Sequence, residues 1–156
     1  MKLSTRARYA LRAMIIITQK GKDGVPVNLG VVAEHTGISR RYLEQVSIAL
    51  KAAGLLKGVS GKHGGHLLGR PASEISLLEI VEAAIGPINV VECAANPEAC
   101  SRNQSCDCRS LYRLLNSQLA QTLGGFTLDD LARGRVREAV EREIGPEPGP
   151  VARGKR

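Results

Sequence analysis

Residues 28–54, NLGVVAEHTGISRRYLEQVSIALKAAG, decide the fold of this 156-residue chain. Asn28 can cap a short helix, which ends at the turn signal Thr36-Gly37. Ser39 can cap a longer helix, which ends at Gly54. The apolar residues of this longer helix share one face: Leu43, Val46 and Leu50. A short helix, a glycine turn and a longer helix together predict a helix-turn-helix.

The segments on both sides extend this motif to a winged helix-turn-helix. Ser4 can cap a preceding helix. After the motif, four glycines separate two short apolar stretches within residues 55–68, which is typical of a β-hairpin. Ser76 and Glu79 match a capping box and begin another short helix. We therefore expect a mainly α domain with a small β-hairpin wing over residues 1–87.

A leucine stripe indicates a long helix in the C-terminal half. From about Asp107 to Gly124-Gly125 the leucines follow helical spacing: Leu111, Leu114, Leu115, Leu119 and Leu123. A narrow apolar stripe on a long helix needs a partner surface. Thr127 and Asp130 can cap a further short helix. The segments predicted after the winged domain are a cysteine-rich loop over 88–108, the long and short helices over 109–134, and a partly disordered tail over 135–156.

Positive charge is concentrated in the N-terminal half of the chain. Residues 1–70 contain twelve Lys and Arg against three Asp and Glu, whereas residues 71–156 contain ten against twelve. A compact region with such an excess gains affinity for a polyanion by releasing counterions, and nucleic acid is the commonest such partner. A solvated basic surface would have the same composition, so the pattern of residues has to decide between them.

Other classes of protein lack their sequence signals here. No apolar run approaches the roughly 20 residues that span a bilayer, and the N-terminus lacks the order of a signal peptide, so we expect a cytoplasmic protein without a membrane partner. There is no GxxxxGKS or GxxxxGKT loop, no nucleophile elbow and no residue pair suited to acid–base work, so we do not expect an enzyme. A scaffold that binds another protein through the leucine stripe is a weaker alternative, because the N-terminal region is so basic.

The start of the second helix of the motif carries side chains suited to reading bases. Residues at this position enter the major groove, and here they are Ser39, Arg40, Arg41, Tyr42, Glu44 and Gln45. Arginine can pair with guanine, glutamine with adenine and glutamate with cytosine, while Tyr42 is expected to pack partly against the domain. Phosphate contacts are expected from Arg6 and Arg8 on the first helix and from Lys62, His63 and His66 in the wing. A metal site at the two wing histidines is the less favoured interpretation, because no acidic or thiol partner lies nearby.

All four cysteines lie in one short segment, with the spacing Cys93-x6-Cys100-x5-Cys106-x-Cys108. A disulfide conflicts with a cytoplasmic location, although a reversible thiol switch stays open. Structural zinc usually uses paired C-x(2–4)-C knuckles, which are absent. An iron–sulfur cluster tolerates irregular loop spacing. Spacing alone leaves iron–sulfur and zinc as equal alternatives.

Three groups of residues occur in an order typical of one known family. They are Lys2-Leu3-Ser4 with Arg8-Tyr9-Ala10, Gly37-Ile38-Ser39 with Tyr42-Leu43-Glu44-Gln45, and Gly64-Gly65-His66-Leu67-Leu68. Over residues 1 to about 125 the chain resembles the Rrf2 family of bacterial winged-helix transcriptional regulators, and especially its iron–sulfur regulators of the IscR and NsrR type. The resemblance implies a homodimer joined through a dimerisation helix over residues 107–124. It also implies binding to a palindromic operator in double-stranded DNA, under the control of a 2Fe-2S or 4Fe-4S cluster.

The resemblance maps the cluster cysteines of the family to Cys93, Cys100 and Cys106. The fourth ligand departs from the family pattern. Where IscR-like members carry a histidine, this chain has Arg109, which cannot ligate iron. Where some nitric-oxide-sensing members carry an acidic residue on the first helix, it has Arg8. Cys108 is therefore the local candidate for the fourth ligand, and an external ligand is the alternative.

Overall fold

The computed structural model describes residues 3–101 and 106–146. Within these ranges the elements follow in this order: α1 (Thr5–Lys20), α2 (Leu29–Thr36), α3 (Arg40–Ala52), β1 (Leu56–Val59), β2 (Gly65–Leu68), α4 (Leu77–Ile85), α5 (Glu92–Ala95), α6 (Asp107–Gly124), α7 (Leu128–Ala132) and α8 (Arg135–Ile144). Single 3-10 turns lie at residues 22–24, 72–74 and 97–99. No helix in the described ranges has both the length and the apolar character of a membrane span.

The helix-turn-helix forms where the sequence predicts it, because its caps are satisfied locally. The Asn28 side chain accepts a hydrogen bond from the backbone N–H of Gly30 at 2.7 Å, and the Ser39 side chain accepts one from that of Tyr42 at 3.4 Å. Between the two helices Gly37 has a φ of +70°, a left-handed conformation that glycine adopts without the clash of a Cβ. The mainly helical fold with a hairpin wing is confirmed.

The core of the winged head, which consists of α1 to α4 and the hairpin, is aliphatic. The large side chains that are fully buried come from all parts of the head and from one residue near the C-terminus: Met14, Ile17, Leu43, Leu50, Leu55, Ile75, Ile80 and Leu128. Helices α3 and α4 both pack on α1, and α2 packs on α1 and α3. This packing buries one face of α3 and leaves its opposite face in solvent.

The wing is an antiparallel hairpin that is fastened to the start of α2. Its strands pair from Leu56 opposite Leu68 to the turn. Val27, just before α2, exchanges two backbone hydrogen bonds with His66, at 2.9 and 2.8 Å. A side chain at Gly65 would obstruct this crossing, because a Cβ there would lie 2.5 Å from the carbonyl oxygen of Val27. The bridge ties the orientation of the wing to the helix-turn-helix.

Helix α7, which follows the long helix α6 in the chain, packs against the winged head. Leu128 is fully buried in the core of the head, and α7 packs on α1. The backbone N–H of Leu128 donates to the carbonyl of Ile75 at 2.8 Å, and the N–H of Leu77 donates to that of Phe126 at 3.0 Å. The structure thus adds residues 126–132 to the head, whereas the sequence groups them with the long helix.

The partly disordered tail predicted from residue 135 instead begins with helix α8. Val136 and Val140, one turn apart, lie on the side of α8 that faces Leu131 of α7. Arg135 pairs with Asp129 at 2.6 Å and with Asp130 at 2.7 Å, which fixes the start of the helix. The hydroxyl and N–H of Thr127, followed by Arg135, lower the pKa of Asp130 to about 2. Residues 147–156 of the predicted tail lie outside the described residues.

Candidate nucleic-acid interface and cysteine loop

The solvent face of α3 carries most of the side chains that the sequence assigns to base reading. Ser39, Arg40, Arg41, Glu44 and Gln45 are exposed, whereas the apolar residues on the opposite face are buried: Leu43, Val46 and Leu50. Apolar contacts with the core therefore hold α3 in an orientation that presents its polar face outward. The helix offers hydrogen-bond donors and acceptors of the kinds that match base edges.

Two predicted readers are already engaged within the protein. Tyr42 is half-buried, and its ring meets that of Tyr9 edge to face with centroids 5.3 Å apart. This agrees with the predicted partial packing of Tyr42. The Arg40 Nε donates to the Glu44 carboxylate at 3.2 Å, one helical turn away. Both side chains of this pair are exposed, so solvent weakens it and either partner is available to a base.

A cleft of about 480 Å³ separates α3 from the wing. The α3 side of the cleft is formed by Arg40, Glu44, Ser47, Ile48 and Lys51. The wing contributes residues 58–61 and 64–66, four of which are glycines. Sequence reasoning from the start of α3 missed Ile48 and Lys51. Their spacing of four and seven residues from Glu44, which places them along the same side of the helix, is the signal that would have found them.

The wing histidines have different surroundings. Lys62 and His63 are exposed at the hairpin turn, as a phosphate contact requires. His66 lies at the start of β2 instead, and its Nδ1 atom is buried without a hydrogen-bond partner among the described residues. Burial, followed by the positive charge of Lys51, lowers the pKa of His66. These surroundings favour a structural role for His66 in the wing over the phosphate contact that the sequence predicts.

The predicted phosphate contacts Arg6 and Arg8 lie on the first turns of α1. Both are exposed, and a guanidinium nitrogen of Arg8 donates to the hydroxyl of Thr5 at 3.1 Å. Their helix crosses α3 in the packed head. Exposed basic side chains thus lie on two helices that pack together and on the wing.

The four cysteines lie around the start of α6, and the predicted cysteine loop includes one short helix: Cys93 lies in α5, Cys100 follows the 3-10 turn at 97–99, Cys106 directly precedes α6 and Cys108 lies on its first turn. Cys93, Cys100 and Cys106 are half-buried, Cys108 is exposed, and all four thiols are free. Residues 102–105, in the middle of the segment, are outside the described ranges. Among the residues that the structure describes, no three His, Cys, Asp or Glu side chains are placed to hold one metal ion. Four thiols fit an iron–sulfur cluster in chemistry and number.

Two side chains of α6 attach this loop to the helix. The Nε of Arg109 donates to the backbone carbonyl of Cys93 at 3.0 Å. Farther along α6, the side-chain oxygen of Asn116 accepts from the N–H of Val90 at 2.9 Å, and its amide nitrogen donates to the side chain of Asn89 at 3.1 Å. Arg109 has donors only and no free electron pair for a metal. Its side chain instead connects α6 to the cysteine loop through the hydrogen bond to Cys93.

The leucine stripe of α6 is only partly covered. Leu119 and Leu123, near its C-terminal end, lie half-buried beside Ile85, Ile88 and Val90. Nearer the N-terminal end, Leu111 is 53% exposed and Leu114 is 56% exposed. These adjoining leucines leave an apolar strip of α6 exposed to solvent.

Comparisons with known proteins match this arrangement over nearly its whole length. Residues 3–134 match the family model Rrf2, described as an iron-dependent transcriptional regulator. The HTH-type transcriptional regulator IscR of Xenorhabdus nematophila is 33% identical over 144 residues, which cover 92% of this chain and 87% of that protein.

Solved structures of regulators share the fold. The structure of CymR (YrzC), the global cysteine regulator of B. subtilis, matches with a TM-score of 0.72 and 31% identity over 86% of this chain and 98% of that chain. IscR of T. potens matches with a TM-score of 0.69 and 27% identity over 92% of each chain. These relatives are transcriptional regulators and not enzymes. The matched residues include the winged head, the cysteine loop and α6. The chain therefore belongs to the Rrf2 family of DNA-binding transcriptional regulators.

Proposed function

We propose that this chain acts as a cytoplasmic homodimer that binds a palindromic operator and whose affinity for DNA is controlled by an iron–sulfur cluster in the cysteine loop. The observation that carries the proposal is the position of the thiols. Three lie on the segment that joins the head to α6 and the fourth, Cys108, lies on the first turn of α6; Arg109 in that turn bonds to the backbone of Cys93 in the segment. A chemical change at the thiols therefore acts on the element that sets the distance between two heads.

The DNA contacts follow from the exposed surface of the head. Arg41 and Gln45, with Arg40 and Glu44, would read base edges in the major groove, and Ser39 and Tyr42 would support the start of the helix. Phosphate contacts would come from Arg6, Arg8, Lys62 and His63. Because these contacts release counterions, DNA affinity should fall steeply with salt concentration, and a flat response would contradict the assignment.

The dimer would form through the exposed leucines of α6. Leu111 and Leu114 are more than half exposed in the single chain, and burial of such side chains stabilises association. Two heads joined in this way can address two half-sites about 34 Å apart. The resulting symmetry matches a palindromic operator.

The cluster would be held by Cys93, Cys100 and Cys106. When bound, a cluster of this kind supplies iron–sulfur chemistry that responds to oxygen, nitric oxide or iron supply. Cys108 is the proposed fourth ligand, because it is the remaining thiol and lies on the first turn of α6, next to Arg109. The 2Fe-2S and 4Fe-4S types share this donor chemistry.

A second candidate function is a regulator without a cluster, controlled by thiol oxidation or carrying structural zinc. The observation that favours thiol oxidation is that the four thiols are free and that no three of the described metal-binding side chains converge. Structural zinc gains no support from this arrangement and is distinguished by metal analysis. A disulfide switch needs two neighbouring cysteines, a two-electron oxidant such as a peroxide to form the bond, and a thiol reductant to break it again. Zinc would need four donors in tetrahedral geometry.

One set of measurements on anaerobically purified full-length protein separates these candidates. We expect iron and acid-labile sulfide in the wild type, sulfur-to-iron charge-transfer absorption, and loss of all three in Cys93→Ser, Cys100→Ser and Cys106→Ser. Cys108→Ser is the matched comparison: loss of iron identifies Cys108 as a ligand, and retained iron points to an external ligand. Zinc in place of iron supports the structural-zinc alternative. Metal-free protein whose DNA affinity changes reversibly with oxidant supports the thiol switch.

A further inference from the structure

Helix α3 leaves one large aliphatic side chain in solvent on its polar side. Ile48 is 58% exposed, whereas Leu43, Val46 and Leu50 on the opposite face are each 1% exposed. Single exposed apolar residues are common on protein surfaces and usually carry no meaning. The position of Ile48 makes it different, because it lies on the element that enters DNA in the proposed function.

The neighbours of Ile48 are polar or charged. Glu44 precedes it by one helical turn, Lys51 follows by nearly one turn, and all three line the cleft between α3 and the wing. The rest of the lining comes from residues 58–61 and 64–66 of the wing and from Asn28 and Leu29 at the start of α2. Besides Ile48, the apolar side chains among the described lining residues are Leu29, which is buried, and Val59, which is exposed on the wing, so Ile48 has no extended hydrophobic surface to join.

Duplex DNA offers one apolar group to such a side chain. In the major groove the C5-methyl of thymine is the only apolar feature among the donors and acceptors of the base pairs, and the minor groove has no equivalent. Ile48 lies eight residues beyond Arg40, about 12 Å along the helix axis. It therefore meets a different base pair from those that face the first turn of α3.

We propose that Ile48 is a specificity-determining residue that contacts the C5-methyl of a thymine in the operator. This inference rests on the proposed DNA interface of α3. Arg41, Gln45 and their neighbours would select bases through hydrogen bonds, while Ile48 selects thymine by burying its methyl group. The contribution is apolar and adds a base preference that no hydrogen-bond donor or acceptor of α3 supplies.

The experiment uses deoxyuridine, which differs from thymidine only by the absent methyl group. A preferred duplex is first selected from a random DNA library with the wild-type full-length protein. Each thymine of that duplex is then replaced singly by deoxyuridine, and binding is measured by fluorescence anisotropy. We expect one position per half-site at which the replacement weakens binding about threefold to fivefold, the effect of losing one buried methyl group.

Variants of Ile48 assign this effect to the side chain. Ile48→Ala should bind the thymine duplex about threefold to fivefold more weakly and should no longer distinguish thymine from deoxyuridine at that position, while Ile48→Val should keep part of the discrimination. Ile144→Ala is the matched control, because Ile144 is 81% exposed at the end of α8. It should bind and discriminate like the wild type.

Two results would overturn the inference while leaving DNA binding intact. One is a wild-type protein that binds the selected duplex and is indifferent to deoxyuridine at every thymine. The other is an Ile48→Ala protein that keeps the full wild-type penalty. If the wild type selects no sequence and shows no salt-dependent binding, the proposed DNA interface fails, and the contact proposed for Ile48 fails with it.

Discussion

Replacement of Leu128 by alanine should destabilise the winged head, although Leu128 lies 43 positions beyond Ile85, the last residue of α4. The Leu128 side chain is fully buried in the core, and its backbone N–H is bound to the carbonyl of Ile75 at 2.8 Å. Removal of a buried leucine side chain costs about 2–5 kcal/mol, depending on how far the cavity can collapse. Backbone bonds on both sides of the site restrict its collapse, so we expect a loss of about 3 kcal/mol.

This loss is measurable as a shift in unfolding. For a chain of this size about 3 kcal/mol corresponds to a decrease of roughly 6–12 °C in Tm. Urea unfolding and scanning calorimetry of the full chain give the same quantity, provided that all proteins are compared at one concentration, since a dimer is also stabilised by mass action. Ile144→Ala, at an exposed site on α8, should change the unfolding free energy by less than about 0.5 kcal/mol.

A small effect of Leu128→Ala would refute the reasoning. If the unfolding free energy fell by less than about 1 kcal/mol, α7 would not belong to the cooperative unit of the head. The effect should also be independent of protein concentration. A destabilisation that disappears at high concentration would place Leu128 at an interface between subunits instead of in the core.

Three further predictions test the wing, the interface and a helix cap. Burial and the positive charge of Lys51 hold the pKa of His66 in the folded protein below its ordinary value of 6.5. As the pH falls, His66 therefore binds a proton in the unfolded chain before it does so in the folded protein, and the free energy of unfolding should decrease below about pH 6.5. His66→Gln should flatten this decline in pH-dependent melts and His63→Gln should not; equal slopes in both variants would contradict the prediction. Leu114→Asp should convert the proposed dimer into a folded monomer in analytical ultracentrifugation, and an unchanged mass would exclude Leu114 from the interface. Ser76→Ala removes the acceptor of the Glu79 N–H and should cost about 1 kcal/mol in urea unfolding, where a loss below about 0.3 kcal/mol would show that the cap is unimportant.

The boundaries of most helices could be predicted because their signals are local. A cap depends on residues within three positions of one another, as with Ser39 and Tyr42 or Ser76 and Glu79, and the structure contains these bonds. The exposed face of α3 followed from the spacing of its apolar residues. Tyr42 is also expected to pack partly against the domain, and its ring contact with Tyr9 agrees with this expectation.

Features that depend on distant pairing could not be read from the sequence in this way. Val27 shows no strand pattern, and only the fold brings it to His66. Leu128 belongs to a five-residue helix whose burial depends on the return of the chain from α6 to the backbone of Ile75. In the cysteine loop, spacing identifies the donors but not how the segment closes around them.

The proposed control of DNA binding requires that a change at the thiols reach the head with enough free energy to matter. Coupling between sites is typically 1–3 kcal/mol. Two hydrogen bonds connect the cysteine loop to α6: that of Arg109 to the carbonyl of Cys93 and that of Asn116 to the N–H of Val90. A hydrogen bond of this kind contributes about 0.5–1.5 kcal/mol. After the C-terminal end of α6, the backbone hydrogen bonds of Phe126 and Leu128 attach the chain to the head. Making or breaking the two loop bonds therefore supplies free energy of the required size, and it does so on a helix whose far end is already fixed to the DNA-binding unit.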